Sequence, residues 1–272
     1  MTDFFDINRF GRLLRAHWAE SWREYAWFAG ALVMLDLIAI VISFSTTSGS
    51  MIWQFQFQGQ VIWYMTGLAL SGMIFAGRYF KYLLNPGASL IALMRPASVF
   101  EKWLMAFLII SIFYPLAYSL LYILFNYPAV QLAKMMSGSL SGCETCARDF
   151  RLYIPFLTTE LAEKSINDAE FFLKSQLFFF MLLSGAQALI AGGTAFFKRS
   201  PVLRTVLFSF LLFVLSIWIG SAPQLGIFTR YYGEGVMQYS TMEYGLSLGL
   251  WLGVPLLLWI VLFFHIKERE VA

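Results

Sequence analysis

The stretch Tyr25–Phe44, YAWFAGALVMLDLIAIVISF, decides the class of fold, because it is almost entirely apolar and only one of its side chains, Asp36, is charged. A helix of about 20 mainly apolar residues crosses the hydrocarbon core of a bilayer, so this stretch predicts a spanning helix. The rest of the chain is similar in character. Of its 272 residues 59% are apolar and 13% charged, whereas roughly a quarter of a soluble domain is charged. The sequence therefore predicts an all-α integral membrane protein.

Further apolar stretches bring the prediction to about six transmembrane helices in one domain, residues 25–272. The predicted spans are Tyr25–Phe44, Gln60–Gly77, Trp103–Phe125, Leu173–Phe197, Val202–Ile219 and Tyr244–Ile266. Basic residues gather before the first span, after the second, after the fourth and after the sixth. The positive-inside rule then places both termini in the cytoplasm and a long loop, at about residues 126–172, on the outer side.

Residues 1–24 predict an amphipathic helix that Asp6 or Asn8 can cap. The side chains that carry this prediction are Arg9, Arg12 and Arg15 on the polar side, and Trp18 and Trp22 on the apolar side. This pattern is typical of a helix lying in the headgroup plane of the bilayer. The alternative is a basic collar that sets topology and has no further role.

The loop between the second and third spans predicts a short helix at the cytoplasmic surface. Pro86 and Gly87 end the second span, and the apolar piece that follows them is too short to cross a membrane. After Pro96, Ser98 and Glu101 have the spacing of a capping box, which predicts the start of the helix that becomes the third span. Such an element can pass a push from a soluble partner to both spans. The alternative is an ordinary turn that leads into a well-capped helix.

The stretch Leu93–Leu104, LMRPASVFEKWL, resembles a signature of ABC-2-type transporter permease subunits and related bacterial membrane proteins. The basic amphipathic N-terminal helix, the six spans and the cytoplasmic element also resemble that family in layout. The long outward loop departs from the simplest family pattern, so the resemblance does not identify a substrate.

The resemblance implies a permease subunit of an exporter in the bacterial cytoplasmic membrane. The sequence has no G-x-x-x-x-G-K-[ST] motif for phosphates, so a separate ATPase subunit on the cytoplasmic face would bind ATP and Mg²⁺. The chain itself would then be no enzyme and hold no cofactor, and it would pair with a second copy or a paralogue. The residues that match the coupling region of the family are Leu84, Pro86, Leu90, Leu93, Arg95, Pro96, Ser98, Glu101 and Lys102.

Asp36 is the one clear ionisable group inside a predicted span, where a charge is costly and often functional. It predicts a residue of a transport pathway or coupling mechanism. The alternatives are a hydrogen-bonded packing residue, or a span shifted enough to bring Asp36 nearer an interface. Pro115 predicts a kink or local unwinding of the third span. The tyrosines of that span, Tyr114, Tyr118 and Tyr122, lie on one face, as packing residues or as the lining of a lumen.

Rows of small residues predict close approach between helices. One row is Gly245, Gly249 and Gly253, and shorter rows are Gly67 with Ser71, and Ser184 with Ala188 and Gly192. Packing inside the bundle is the favoured interpretation, and a dimer interface is the alternative.

Cys143 and Cys146 are the only cysteines of the chain and lie in the predicted outward loop. In an oxidising compartment they predict a local disulfide. Redox catalysis is disfavoured, because no second cysteine pair exists to pass electrons on.

Three classes of function remain at this stage. The leading one is the permease subunit, moved by its ATPase partner. A non-catalytic assembly protein that uses the outward loop is the second, and a lipid-modifying membrane enzyme is a third, which lacks a cluster of acids or metal ligands. Basic runs interleaved with aromatic residues are absent, so no nucleic acid is expected as a partner.

Overall fold

The computed structural model describes the chain as a set of long helices. The described residues are 5–45, 55, 57–80, 97–140, 152–157, 166–196, 204, 207 and 241–271. The helices are α1 (Ile7–Ser45), α2 (Phe57–Tyr79), α3 (Val99–Leu108), a π-helical turn (Ile109–Phe113), α4 (Tyr114–Leu140), α5 (Ile166–Phe196) and α6 (Thr241–Val271). No strand occurs among these residues. The predicted all-helical class is confirmed for the described part of the chain.

Helices long and apolar enough to cross a membrane make this a membrane protein. The described residues hold such helices at Ile7–Phe44, Gly59–Tyr79 and Val99–Met135, with a shorter apolar helix at Phe179–Gly193. They contain the first three predicted spans. The sixth predicted span lies within α6, and the fourth lies within α5 except for its last residue, which is outside the described residues. The fifth, Val202–Ile219, falls almost wholly outside the described residues, so the count of six and the orientation stay predictions.

α1 is one continuous helix of 39 residues, about 58 Å long at 1.5 Å per residue. Asp6 caps it, because its Oδ1 accepts from the backbone N–H of Asn8 at 2.8 Å and its carbonyl accepts from Phe10 at 2.8 Å. The sequence predicts a separate in-plane helix that ends at residue 24, whereas the structure shows no break at Tyr25. No proline interrupts this segment, and Gly11 and Gly30 are tolerated inside the helix.

The helix that contains the third predicted span begins and unwinds where the sequence predicts. Ser98 is its N-cap and forms the complete capping box with Glu101, which confirms that prediction. Five residues before Tyr114 form a π-helical turn, directly ahead of Pro115. Because Pro115 has no N–H and its ring crowds the preceding turn, the helix widens there. The predicted local unwinding is therefore confirmed.

α4 continues to Leu140, so its last 15 residues are helical where the sequence predicts loop from residue 126. An apolar face explains the extension: Ala129, Val130 and Ala133 are buried in one cluster with Phe55, against which Ile40, Phe44 and Leu152 pack. α5 likewise begins at Ile166, before the predicted end of the loop. Both ends of the segment predicted as the outward loop, 126–172, are thus helical.

The chain divides into two compact units. Unit 1 comprises Met1–Gly72 and Ser111–Leu173, and unit 2 comprises Met73–Ile110 and Lys174–Ala272. Unit 1 therefore holds α1, most of α2, α4 and the described loop residues 152–157. Unit 2 holds the end of α2, together with α3, most of α5 and α6.

Candidate functional site

The polar side chains of unit 1 meet near the end at which α1 finishes and α2 begins. Asp36 of α1 accepts a hydrogen bond at Oδ1 from Trp63 Nε1 of α2, at 3.2 Å. Its Oδ2 accepts from Asn126 Nδ2 of α4, at 3.0 Å. Asn126 also donates to the carbonyl of Tyr122 at 3.2 Å. One carboxylate therefore links three helices.

The position of Asp36 along the bundle follows from its partner on α2. Trp63 lies four residues after Gly59, where the apolar span of α2 begins, which places it about 6 Å along the axis. Asp36 is half-buried and lies eight residues before Phe44, where the apolar span of α1 ends. Asp36 is therefore hydrogen-bonded between helices, which agrees with a packing role, and its predicted role in a transport pathway or in coupling stays a prediction.

Gln60 joins the helices to the loop. Its Nε2 donates to the carbonyl of Phe55 at 2.6 Å, and its Oε1 accepts from the backbone N–H of Tyr153 at 2.9 Å. The hydroxyl of Tyr122 donates to the same Oε1 at 3.5 Å. Gln60 is 2% exposed, and these bonds satisfy both ends of its amide. The loop is thereby fixed to α2 and α4.

Tyrosine rings pack around Tyr64, one helical turn after Gln60 on α2. The centroid of Tyr64 lies 5.0 Å from that of Tyr122, 5.3 Å from Tyr153 and 5.6 Å from Tyr118, with the first two pairs edge to face. The hydroxyl of Tyr64 shares a hydrogen bond of 2.7 Å with Ser119. Tyr118 and Tyr122 of the predicted stripe therefore pack on aromatic rings of unit 1. This arrangement agrees with the packing interpretation of the stripe.

Residues 152–157, which we name the anchored segment, close this end of unit 1. Tyr153 is fully buried, and burial raises the pKa of its hydroxyl above the usual range, so this hydroxyl stays neutral. The chain then turns, with Leu157 N–H donating to the carbonyl of Ile154 at 3.2 Å. Phe156 sits at this turn with φ of 63°, an uncommon conformation for a residue with a side chain. Phe156 and Leu157 remain exposed.

The described part of the signature stretch lies in unit 2. Ser98 Oγ accepts from the backbone N–H of Glu101 at 3.2 Å, and Glu101 Oε2 accepts from the N–H of Ser98 at 3.0 Å. Glu101 is fully buried. Two residues on, Trp103 Nε1 donates to the carbonyl of Trp259 at 2.8 Å. These bonds hold the start of α3 against α6.

A hydrogen bond and a close contact join α5 to α6 in unit 2. Trp259 Nε1 donates to Ser184 Oγ at 3.2 Å, which places one member of the predicted small-residue row at a helix contact. Next to it, a Cβ at Gly185 would lie 3.2 Å from Pro255 Cγ. Gly249 and Gly253 have no atom within 4 Å of such a Cβ. The structure thus shows no described partner for these two glycines, and the role predicted for the row with Gly245 stays untested.

The N-terminal residues of α1 present aromatic and basic side chains to the surroundings. Trp18 and Trp22 are exposed, and the guanidinium of Arg23 lies 5.8 Å from the ring centroid of Trp22. His17 Nε2 and the hydroxyl of Tyr25 are 2.5 Å apart. The predicted residues Arg9, Arg12 and Arg15 lie on the same helix. Their predicted role at the headgroups stays a prediction.

Several predicted site residues fall outside the described residues. They are Leu84, Pro86, Leu90, Leu93, Arg95 and Pro96 of the coupling element, and Cys143 and Cys146 of the outward loop. The structure places the last three coupling residues, Ser98, Glu101 and Lys102, at the beginning of α3.

Sequence reasoning missed Gln60, Trp63 and Asn126 as a polar network, and it missed the anchoring role of Tyr153. An amide or indole near the end of an apolar span was the available signal, since a polar group there needs a partner. The sequence offers no signal that pairs Gln60 with a loop residue 93 positions away.

The described contacts of the site are hydrogen bonds and contacts between aromatic rings. Within the described residues, no three His, Cys, Asp or Glu side chains gather as metal ligands. No protein-family model, curated protein or solved structure matches the chain.

Proposed function

We propose that this chain is the permease subunit of an ABC-2-like exporter in the bacterial cytoplasmic membrane. It would cross the membrane six times, with both termini in the cytoplasm, and work as a dimer with a second copy or a paralogue. A separate ATPase subunit on the cytoplasmic face would bind ATP and Mg²⁺ and drive a rigid-body switch. The substrate is not part of the proposal.

The observation that carries the proposal is the capping box at Ser98 and Glu101, inside the stretch that resembles the family signature. The box fixes the first turn of α3, and the burial of Glu101 ties that turn to its surroundings. Substituting an N-cap typically costs about 1 kcal/mol, so the start of the helix is well defined. A push on the residues just before Ser98 would therefore move α3 and would not unwind it.

α3, the π-helical turn and α4 follow each other without interruption from Val99 to Leu140, roughly 60 Å of helix. A partner that displaces the beginning of this helix would transmit motion along it. π-helical turns are frequent at functional sites and mid-helix irregularities often mark hinges. The turn at Ile109–Phe113 is the expected place for the helix to bend.

α1 offers apolar surface for a lipid or protein neighbour. In the most apolar 18-residue stretch of α1, only 6% of the residues are buried inside the chain, whereas 44% are buried in the corresponding stretch of α2. Trp27, Leu35 and Val41 are among its most exposed side chains, at 82%, 64% and 65%. Such a surface is stable in contact with lipid, and it also supports pairing with a second permease copy.

The test is to purify the full chain from its native membrane in mild detergent and to identify the proteins that accompany it. We expect a nucleotide-binding subunit in stoichiometric amount, and we expect Arg95→Glu and Lys102→Glu to remove it. Lys267→Glu is the matched control, because it reverses an exposed charge at the end of α6 on the same predicted side. It should leave the partner bound.

The contrary result is equally clear. If no nucleotide-binding protein accompanies the chain, while a reference ABC transporter keeps its ATPase through the same extraction, the permease proposal is wrong.

A non-catalytic assembly protein is the second candidate, and the anchored segment favours it. Phe156 and Leu157 are 42% and 54% exposed beside the buried Tyr153, so the loop holds apolar side chains rigidly outward. A photo-crosslinking group at position 157 that captures a specific protein, in membranes where no ATPase accompanies the chain, would support this function over the first.

A further inference from the structure

Asp36 is a carboxylate whose described partners are both neutral. The donors are the indole of Trp63 at 3.2 Å and the amide of Asn126 at 3.0 Å. Among the described residues, no lysine, arginine or histidine bonds to it. An ionised carboxylate accepts about four hydrogen bonds, so roughly two acceptor positions remain after these contacts.

The carboxylate is closed on one side and open on the other. Asn126 is 4% exposed, whereas Trp63 is 39% exposed and Asp36 itself is half-buried. Trp63 lies one turn inside the span that begins at Gly59. The open side therefore faces out of the unit, about 6 Å inside the beginning of the apolar span of α2. A polar group that enters from that end of the span has about one helical turn to cross before it meets the carboxylate.

The chemistry of the open side selects the ligand. A carboxylate in a low-dielectric setting is stabilised by an opposite charge, most strongly by one that also donates hydrogen bonds. A metal ion is disfavoured, since within the described chain no two further acid, histidine or cysteine side chains join Asp36. The exposed indole of Trp63 would add attraction for a cation over its ring.

We propose that Asp36, Trp63 and Asn126 form a binding site for a primary ammonium group. The ligand is the amine of an ethanolamine lipid headgroup or a soluble primary amine, both of which offer three N–H donors. The site requires neither the ATPase partner nor transport activity.

The experiment uses the full chain in lipid nanodiscs made from equal parts of phosphatidylethanolamine and phosphatidylcholine, with native mass spectrometry to count retained lipids. We expect the ethanolamine lipid to be retained about tenfold over the choline lipid, the effect of one charge-assisted hydrogen bond. Asp36→Asn should abolish this preference. Glu24→Gln removes an equal charge from an exposed position of the same helix and should preserve it.

A second arm separates the two sources of amine. In nanodiscs of choline lipid alone, free ethanolamine is added and its binding is measured on the wild type and on Asp36→Asn. If free ethanolamine binds to the wild type and not to Asp36→Asn, the site is assigned to soluble amines. If it binds to neither protein, and the wild type still prefers the ethanolamine lipid, the site is assigned to headgroups. A wild type without preference for either amine, or equal preference in Asp36→Asn, overturns the proposal.

A third measurement needs no variant, so it stands even if Asp36→Asn fails to fold. It compares ethanolamine headgroups that carry one, two or three N-methyl groups. Each methyl group replaces one N–H donor, and the positive charge is kept. Retention by the wild type should fall with each methyl group. Equal retention across this series would show that the site does not recognise a primary ammonium.

Discussion

Replacing Gly67 by alanine should force Tyr118 out of its place in unit 1. A Cβ at Gly67 would collide with the hydroxyl oxygen of Tyr118, and the ring carbon Cζ would lie 3.4 Å away. The ring of Tyr118 is held beside Tyr64 at 5.6 Å and beside Tyr114 at 6.5 Å, so it cannot rotate freely. The helix backbone or the aromatic cluster must therefore move.

The size of the effect follows from two opposing contributions. Inserting a methyl group into a packed site costs about 1–3 kcal/mol, while alanine in a helix gains up to about 1 kcal/mol over glycine. We expect a net loss of about 1–2 kcal/mol in the free energy of unfolding. This corresponds to a fall of roughly 3–6 °C in the melting temperature measured in detergent.

The decisive comparison is to measure Gly67→Ala again in a protein that already carries Tyr118→Phe. Tyr118→Phe removes the colliding oxygen, and among the described residues the Tyr118 hydroxyl has no hydrogen-bond partner to lose. Gly67→Ala should then be nearly neutral, which gives a coupling energy of about 1–2 kcal/mol in the double-mutant cycle. Gly30→Ala is the control, because no atom lies within 4 Å of its Cβ. A loss that persists in the Tyr118→Phe background, or no loss in the wild type, would refute the reasoning.

Three further changes test other contacts. Gly185→Ala places a Cβ 3.2 Å from Pro255 Cγ. We expect it to lower the melting temperature by less than Gly67→Ala does, and a larger fall would contradict this geometry. Ser98→Ala removes the N-cap of α3 and should cost about 1 kcal/mol in thermal unfolding, and an unchanged melting temperature would contradict the role of the cap. Gln60→Leu removes the bonds that hold the anchored segment, so limited proteolysis should cleave there several times faster than in the wild type, and unchanged cleavage would contradict the anchoring role.

The sequence predicts helix positions well, because length and composition determine what a membrane accepts. Local signals were also sufficient for the capping box at Ser98 and the unwinding ahead of Pro115, both of which the structure confirms. Each of these depends on residues within about one turn. They need no knowledge of the neighbouring helix.

The boundaries of α1 and α4 could not be predicted in the same way. Residues 126–140 carry Pro128 and several polar residues that suggest a loop, yet contacts with Ile40, Phe44 and Phe55 keep them helical. These partners are distant in sequence. Tertiary contacts thus override the local preference, as they often do for helix propensity.

The polar network was beyond sequence reasoning for a different reason. Nearly every position of a span is apolar, so periodicity cannot tell which face of a helix meets which neighbour. Asp36 is conspicuous as a charge, and Trp63 and Asn126 as polar groups that need partners, but the sequence does not show that the three meet. The three become a site only when α1, α2 and α4 are assembled.

The hydrogen bonds of unit 1 have two distinct uses. The hydroxyl of Thr66 donates to the carbonyl of Ile62, four residues earlier in its own helix, at 2.7 Å, which satisfies it without linking helices. Asp36 and Gln60 instead bond across elements, and both act near the same end of the unit. A helix-to-helix hydrogen bond in a membrane contributes only about 0.6 kcal/mol on average, so several are needed to fix a geometry.

Clustering of these bonds at one end therefore has a mechanical consequence. α1, α2, α4 and the anchored segment are joined there through Asp36, Gln60 and the ring of Tyr153, while the π-helical turn before Pro115 is the irregular point in the helix that enters the unit. A rigid-body switch requires bodies that keep their internal contacts and a place that deforms. In the proposed permease cycle, unit 1 would move as one body and the deformation would be concentrated at residues 109–113. Spin labels at exposed positions 35 and 70, both inside unit 1, should then keep their separation on addition of ATP and the partner subunit, and a change between them would show that the network does not hold the unit together.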